Sequence, residues 1–220
     1  MRARLRAYAC EMEQQQVRAE GVSGVLHVPG MPKGGALVLT HGAGGNCEAP
    51  LLRAVAAEFC GRGLHVLRCD LPFRQRRGKG PPAPAGAAED RAGLRCAALW
   101  LAQRSPGPIR LGGHSYGGRQ ASLLLADEPE IAAALLLLSY PLHPPEKPQQ
   151  LRVQHFPRLR RPALFVHGSR DPFATPAELA DAIAAIPAPA AIFTVEGAGH
   201  DLRRGSFDLG AMASRFLAGD

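Results

Sequence analysis

The chain of 220 residues is defined first by what it lacks. Its five cysteines, Cys10, Cys47, Cys60, Cys69 and Cys96, are odd in number and scattered. No Cys-x-x-Cys occurs, and no Cys/His grouping has zinc-site spacing, so neither a disulfide framework nor a metal site is expected. The thiols read as reduced, small packing residues of a cytoplasmic protein. The longest apolar run, Ile131 to Leu138, is far short of the roughly 20 residues that a membrane helix needs. The first residues carry Arg2, Arg4, Arg6, Glu11 and Glu13 with no apolar core behind them, which is unlike a signal peptide. No P-loop with its lysine is present, which argues against nucleotide binding. Base exceeds acid, with 26 Lys and Arg against 19 Asp and Glu for a net charge of +7. Such an excess admits nucleic acid or acidic substrates as partners. With no recognised nucleic-acid motif beside it, we read it as Arg-rich composition and expect neither a nucleic-acid nor a membrane partner.

What is present fits one domain over residues 1–220, with 1–13 as a basic lead-in. Hydrophobic residues make up 46%, enough for a sizeable core at this length. Two short strands, 14–19 and 24–28, flank a Glu20-Gly21 turn. Buried strands are expected at 36–40, 65–69, 109–112, 132–139, 163–167 and 191–195, each a short apolar run bounded by turn signals. Helices are expected at 50–61, 86–104, 116–126, 175–185 and 206–218, the first with Leu51, Leu52, Val55, Ala56 and Phe59 on one face. Residues 71–85 and 140–161 read as Pro-rich loops. Strands alternating with helices from residue 36 onward predict an α/β fold, a mostly parallel sheet with helices on both faces. In such sheets, sites form beyond the carboxyl ends of the strands.

The unusual loops lie at those ends. Gly113-His114-Ser115-Tyr116-Gly117 has the Gly-x-Ser-x-Gly pattern of a nucleophile elbow, between a strand and an apolar helix. Small flanking residues are a steric requirement of that turn. A serine hydroxyl is a poor nucleophile until a base takes its proton, and a carboxylate commonly holds that base in the right tautomer. Asp171, after the strand at 163–167, and His200, after the strand at 191–195, supply both in the order Ser, Asp, His. Asp70 and Asp201 are competing carboxylates. His27, His41, His65, His114, His143, His155 and His167 read as ordinary surface or core residues. Oxyanion donors are expected from the backbone N–H of Tyr116 and from Ala43 in the loop His41-Gly42-Ala43-Gly44-Gly45.

Four motifs thus occur in order: His-Gly-x-Gly, Gly-x-Ser-x-Gly, Gly-x-x-Asp-Pro and Gly-x-Gly-His. On these the chain resembles the α/β-hydrolase superfamily over about residues 24–218. More narrowly it resembles the small uncapped proteins near dienelactone hydrolase and the testis-expressed predicted-hydrolase group. It departs from the former in having Ser115 where they carry cysteine. The resemblance implies an α/β-hydrolase fold without a large cap domain, no cofactor, and hydrolysis of a small carboxylic ester, thioester or lactone through an acyl-enzyme. The alternative it leaves open is a hydrolase fold kept as a binding scaffold. The segment Tyr140 to Arg161 is too short for a cap, so the site is expected to be open. Arg74 and Arg77 of the basic loop are candidates to clamp an anionic substrate group. Gly44 and Phe173 are further candidate substrate contacts, and Tyr116, Phe73 and Tyr140 are candidates to line an acyl pocket.

Overall fold

A computed structural model describes residues 12–19 and 21–219. Most of the expected basic lead-in, residues 1–11, lies outside them. The described residues open with an antiparallel pair, β1 (Glu13–Ala19) and β2 (Val22–Val28). It then alternates: β3 (Ala36–Thr40), α1 (Pro50–Gly61), β4 (His65–Cys69), α2 (Pro72–Arg76), α3 (Ala87–Ala102), β5 (Ile109–His114), α4 (Tyr116–Asp127), β6 (Leu135–Leu138), β7 (Ala163–Gly168), α5 (Pro176–Ile183), β8 (Ala190–Val195) and α6 (Leu209–Ala218). One eight-stranded sheet results, in the order β1-β2-β4-β3-β5-β6-β7-β8. The pairs β1–β2 and β2–β4 are antiparallel. All later pairs are parallel.

The central strands read as unbroken apolar runs because both of their faces are covered. Side chains alternate across the pleat. Leu37, Leu39, Val66, Leu136, Leu138 and Val166 face one core with Val55 and Phe59 of α1 and Met212 and Phe216 of α6. Val38, Leu67, Leu111, Leu135, Leu137 and Phe165 face the other with Leu94 and Leu101 of α3, Leu124 and Leu125 of α4, and Leu179 of α5. The sheet is thus sandwiched, as the alternation of elements requires. No helix among the described residues is long and apolar enough to cross a membrane.

Several element bounds shift by one to a few residues from those expected, and three differences have a structural bearing. The stretch 71–85 is not all loop, since Pro72 opens the short helix α2. Strand β6 is only Leu135–Leu138, shorter than the apolar run that signals it. Helix α6 starts at Leu209 rather than at residue 206, because the Asp208 carboxylate accepts from the Ala211 N–H at 2.8 Å and caps it there. The connection between β6 and β7 carries only a 3-10 turn, Phe156–Arg158. It is folded onto itself, with the Tyr140 hydroxyl donating to the Arg152 carbonyl at 2.6 Å and the Arg152 N–H donating to the Leu142 carbonyl at 2.8 Å. Among the described residues no large cap covers the ends of the strands.

Candidate active site

β5 ends at His114 and α4 begins at Tyr116, which leaves Ser115 as the single residue of the turn. Its torsions are φ 50° and ψ −115°, a strained backbone region for a residue with a side chain. Its own N–H is satisfied by the Leu138 carbonyl of β6 at 2.8 Å. Helix and strand approach so closely here that neither flanking glycine has room for a methyl. A Cβ on Gly113 would lie 2.7 Å from the Gly118 nitrogen, and one on Gly117 would lie 2.5 Å from the His41 carbonyl oxygen.

The Ser115 Oγ lies 2.8 Å from His200 Nε2. On the other side of that ring, Nδ1 lies 2.8 Å from Asp171 Oδ2 and 3.0 Å from Oδ1. Asp171 is only 5% exposed. Its carboxylate also accepts the Phe173 N–H at 2.9 Å, and its own N–H donates to the Gly168 carbonyl at the end of β7. The two competing carboxylates lie elsewhere. Asp201 is exposed and accepts from the Arg203 N–H. Asp70 accepts from the Cys47 N–H at 2.7 Å and lies near His41. Three loops, from β5, β7 and β8, thus bring Ser115, Asp171 and His200 together at the carboxyl edge of the sheet.

An open cleft of about 430 Å³ lies over these groups. Ser115 and His200 line it together with Ala43, Gly44, Leu51, Phe173 and Arg203. The Phe173 ring stacks on the His200 ring with centroids 4.1 Å apart. Tyr116 opens α4, and amides of a first helical turn have no acceptor within the helix. Ala43 stands in the loop that follows β3. His41 Nδ1 donates to the Gly42 carbonyl at 2.9 Å, while its Nε2 accepts the Leu71 N–H. Burial holds this imidazole below the ordinary histidine range, which keeps it neutral in that tautomer. Among the described residues no group of three or more His, Cys, Asp and Glu is set to hold a metal ion.

Several expected substrate contacts turn away from the cleft. Arg74 is 6% exposed, and its guanidinium donates to the carbonyls of Gly45, Ala43, Gly80 and Arg77 at 2.7, 2.9, 3.0 and 3.2 Å. Arg77 donates to the Pro81 carbonyl at the surface. Neither lines the cleft. Main-chain carbonyls of the loop after β3 and of the turn after α2 take the donors that an anion would need. Phe73 and Tyr140 are core residues, and the Tyr116 hydroxyl donates to Asp90 at 2.7 Å. Asp90, in the first turn of α3, is fully buried. His114, read as ordinary, donates from Nε2 to the His200 carbonyl at 2.8 Å and so ties the elbow to the His200 loop. Its place next to Ser115 was the only signal that the sequence offered.

A family profile described as an alpha/beta hydrolase domain matches residues 33–209. The chain belongs to the alpha/beta hydrolase family. Its fold is also that of solved structures over nearly their whole length. Dienelactone hydrolase from Anabaena variabilis gives a TM-score of 0.69 at 21% identity, with 94% of each chain covered. The Thermus thermophilus protein TT1662 gives 0.71 at 25% identity, covering 94% of this chain and 96% of that one. The esterase Pf2001 from Pyrococcus furiosus gives 0.71 at 16% identity, covering 96% and 90%. This alpha/beta hydrolase therefore has hydrolases and esterases as structural neighbours, and it carries the sheet order described above without a large cap.

Proposed function

We propose that the protein is a serine hydrolase that cleaves a small carboxylic ester, with a thioester or lactone as chemically equivalent substrates. The observation that carries this reading is the continuous chain of contacts Ser115 Oγ–His200 Nε2 and His200 Nδ1–Asp171, each closing at 2.8 Å. In this reading His200 takes the Ser115 proton as Oγ bonds to the ester carbonyl carbon. Asp171 holds Nδ1–H toward itself and stabilises the imidazolium that forms. The negative oxygen of the tetrahedral adduct accepts from the backbone N–H groups of Tyr116 and Ala43. Collapse of the adduct breaks the bond to the leaving alcohol, which takes the proton from His200. Water then repeats the sequence on the acyl-enzyme and frees the acid and Ser115.

The cleft supports a small substrate. About 430 Å³ suits a ligand of modest size, and Ala49, Leu51, Leu52 and Phe173 give it an apolar wall. The neighbours named as dienelactone hydrolase and esterase fit the same chemistry. The free thiols Cys47, Cys69 and Cys96 fit a reducing, cytoplasmic setting.

A fluorophosphonate probe and a panel of p-nitrophenyl esters test this reading. The wild-type protein is expected to be labelled and to turn over short-chain esters. Ser115→Ala is expected to abolish labelling and to lower turnover by at least about 10⁴-fold. Equal labelling of Ser115→Ala, or no labelling of the wild type, would sink it.

A further inference from the structure

Arg74 is a buried cation with an unusual set of partners. Four of the five guanidinium N–H groups are used, all on main-chain carbonyls. Among the described residues no carboxylate forms an ion pair with it. Its guanidinium also lies over the Phe73 ring, whose centroid is 4.9 Å from the guanidinium carbon. Two of its four acceptors, Ala43 O and Gly45 O, belong to the loop that lines the cleft beside Ser115.

A peptide unit is planar, so fixing its carbonyl fixes the N–H on its other side. The unit that carries the Ala43 N–H has Gly42 O as its carbonyl. That oxygen accepts from His41 Nδ1 at 2.9 Å and from the Gly45 N–H at 3.0 Å. Arg74 fixes the next unit through Ala43 O and the unit after Gly45 through Gly45 O. A loop built of His41-Gly42-Ala43-Gly44-Gly45 has little stiffness of its own, since glycine restricts the backbone least. The cation supplies what the sequence of the loop omits.

The same short helix reaches the other oxyanion donor. The Phe73 N–H donates to Asp90 Oδ1 at 3.0 Å, and Asp90 Oδ2 accepts from the Tyr116 hydroxyl at 2.7 Å. The Phe73 ring meets His41 and Tyr116 edge-on, with centroids 5.5 and 5.8 Å away. Both segments that carry the donors therefore rest on α2.

We infer that Arg74 is a positioning residue: it holds the Ala43–Gly45 loop so that the Ala43 N–H faces the tetrahedral oxyanion, and it contacts no substrate. The inference rests on the esterase reading above. Arg74→Gln and Arg74→Lys, compared with wild type on p-nitrophenyl acetate and on binding of phenylboronic acid, test it. The boronate forms a tetrahedral adduct at Ser115 and so reports on the oxyanion site without turnover. Displacing one donor is expected to lower kcat of Arg74→Gln by about 10- to 100-fold, with KM held within about threefold. Boronate affinity is expected to fall by a similar factor. Arg74→Lys, which reaches one carbonyl instead of several, should lie between the two. The shape of the pH–rate profile should stay that of the wild type, because His200 and Asp171 keep their bonds.

If Arg74→Gln fails to fold by circular dichroism, Arg74→Lys decides on the same readouts. Retention of kcat and boronate affinity overturns the inference, and so does a rise in KM with kcat intact, which would return Arg74 to the substrate. Absence of Ser115-dependent turnover and of boronate binding in the wild type removes the esterase reading and this inference with it. An active wild type with unaffected variants removes the inference alone.

Discussion

Ser115 is held in torsions that most residues avoid, at a cost of order 1–3 kcal/mol, and the surroundings that impose them are two glycine contacts. A Cβ on Gly117 would meet the His41 carbonyl oxygen at 2.5 Å and Thr40 Cγ2 at 2.7 Å. Neither neighbour can give way, as one is backbone and the other lies in a central strand. Gly117→Ala is therefore expected to push α4 away from β3 and to destabilise the fold by about 1–3 kcal/mol. A lowered urea midpoint would show it, and an unchanged midpoint would contradict the close approach. At this scale much of the site was legible. Ser115, Asp171 and His200 each stand in a short local motif after a strand, and position along the chain sufficed to bring them forward. Arg74 was misread for a physical reason. The sequence shows a charge on a loop but not which way the loop faces, and an arginine serves a main-chain carbonyl as readily as it serves a substrate anion. Asp90 was hidden in the same way, since its partners, Phe73 and Tyr116, are distant in sequence.

Among the elements, α2 was the one that composition concealed. The stretch around it is rich in Pro, Gly and Arg, and five residues are too few to show a helical period. The central strands were plain by contrast, because burial on both faces leaves an apolar run that needs no partner to be recognised. The seat of α2 is Gly93 on α3, where a Cβ would lie 2.4 Å from Pro72 Cγ and 2.5 Å from Pro72 Cδ. Gly93→Ala is expected to displace α2 and, with it, the guanidinium of Arg74. Turnover should drop by about 10-fold, as for a donor moved by a fraction of an ångström, while Ser115 remains open to the fluorophosphonate probe. Full turnover in a folded Gly93→Ala protein would detach α2 from the chemistry.

Over the whole molecule, buried imidazoles set an acid limit to stability, His27 and His155 among them. His27 accepts from Arg68 Nε at 2.8 Å; burial, and then the Arg68 charge, pull its pKa from 6.5 to about 4. His155 packs against Ser122 with 2.8 Å between its Nε2 and the Ser122 Oγ; burial, and then Arg119, lower it to about 4 as well. The unfolded chain binds a proton on each below 6.5, whereas the folded chain does so only near 4. Their contribution is thus complete above 6.5 and is lost as the pH falls toward 4. Urea midpoints are expected to decline between pH 7 and pH 5, and His155→Gln should flatten that decline. A midpoint independent of pH across this span would refute the assignment.

The parallel sheet also orders events in time. Serine arrives on the chain after β5, the carboxylate after β7 and the imidazole after β8, the strand at the far edge of the sheet. A ribosome delivers them in that sequence, so for much of its synthesis the chain bears a serine with no base to activate it. On the proposed chemistry the nucleophile is inert until β8 docks on β7 and carries His200 to it. An unfinished copy is chemically silent by construction, and reactivity switches on only as the last edge of the sheet closes.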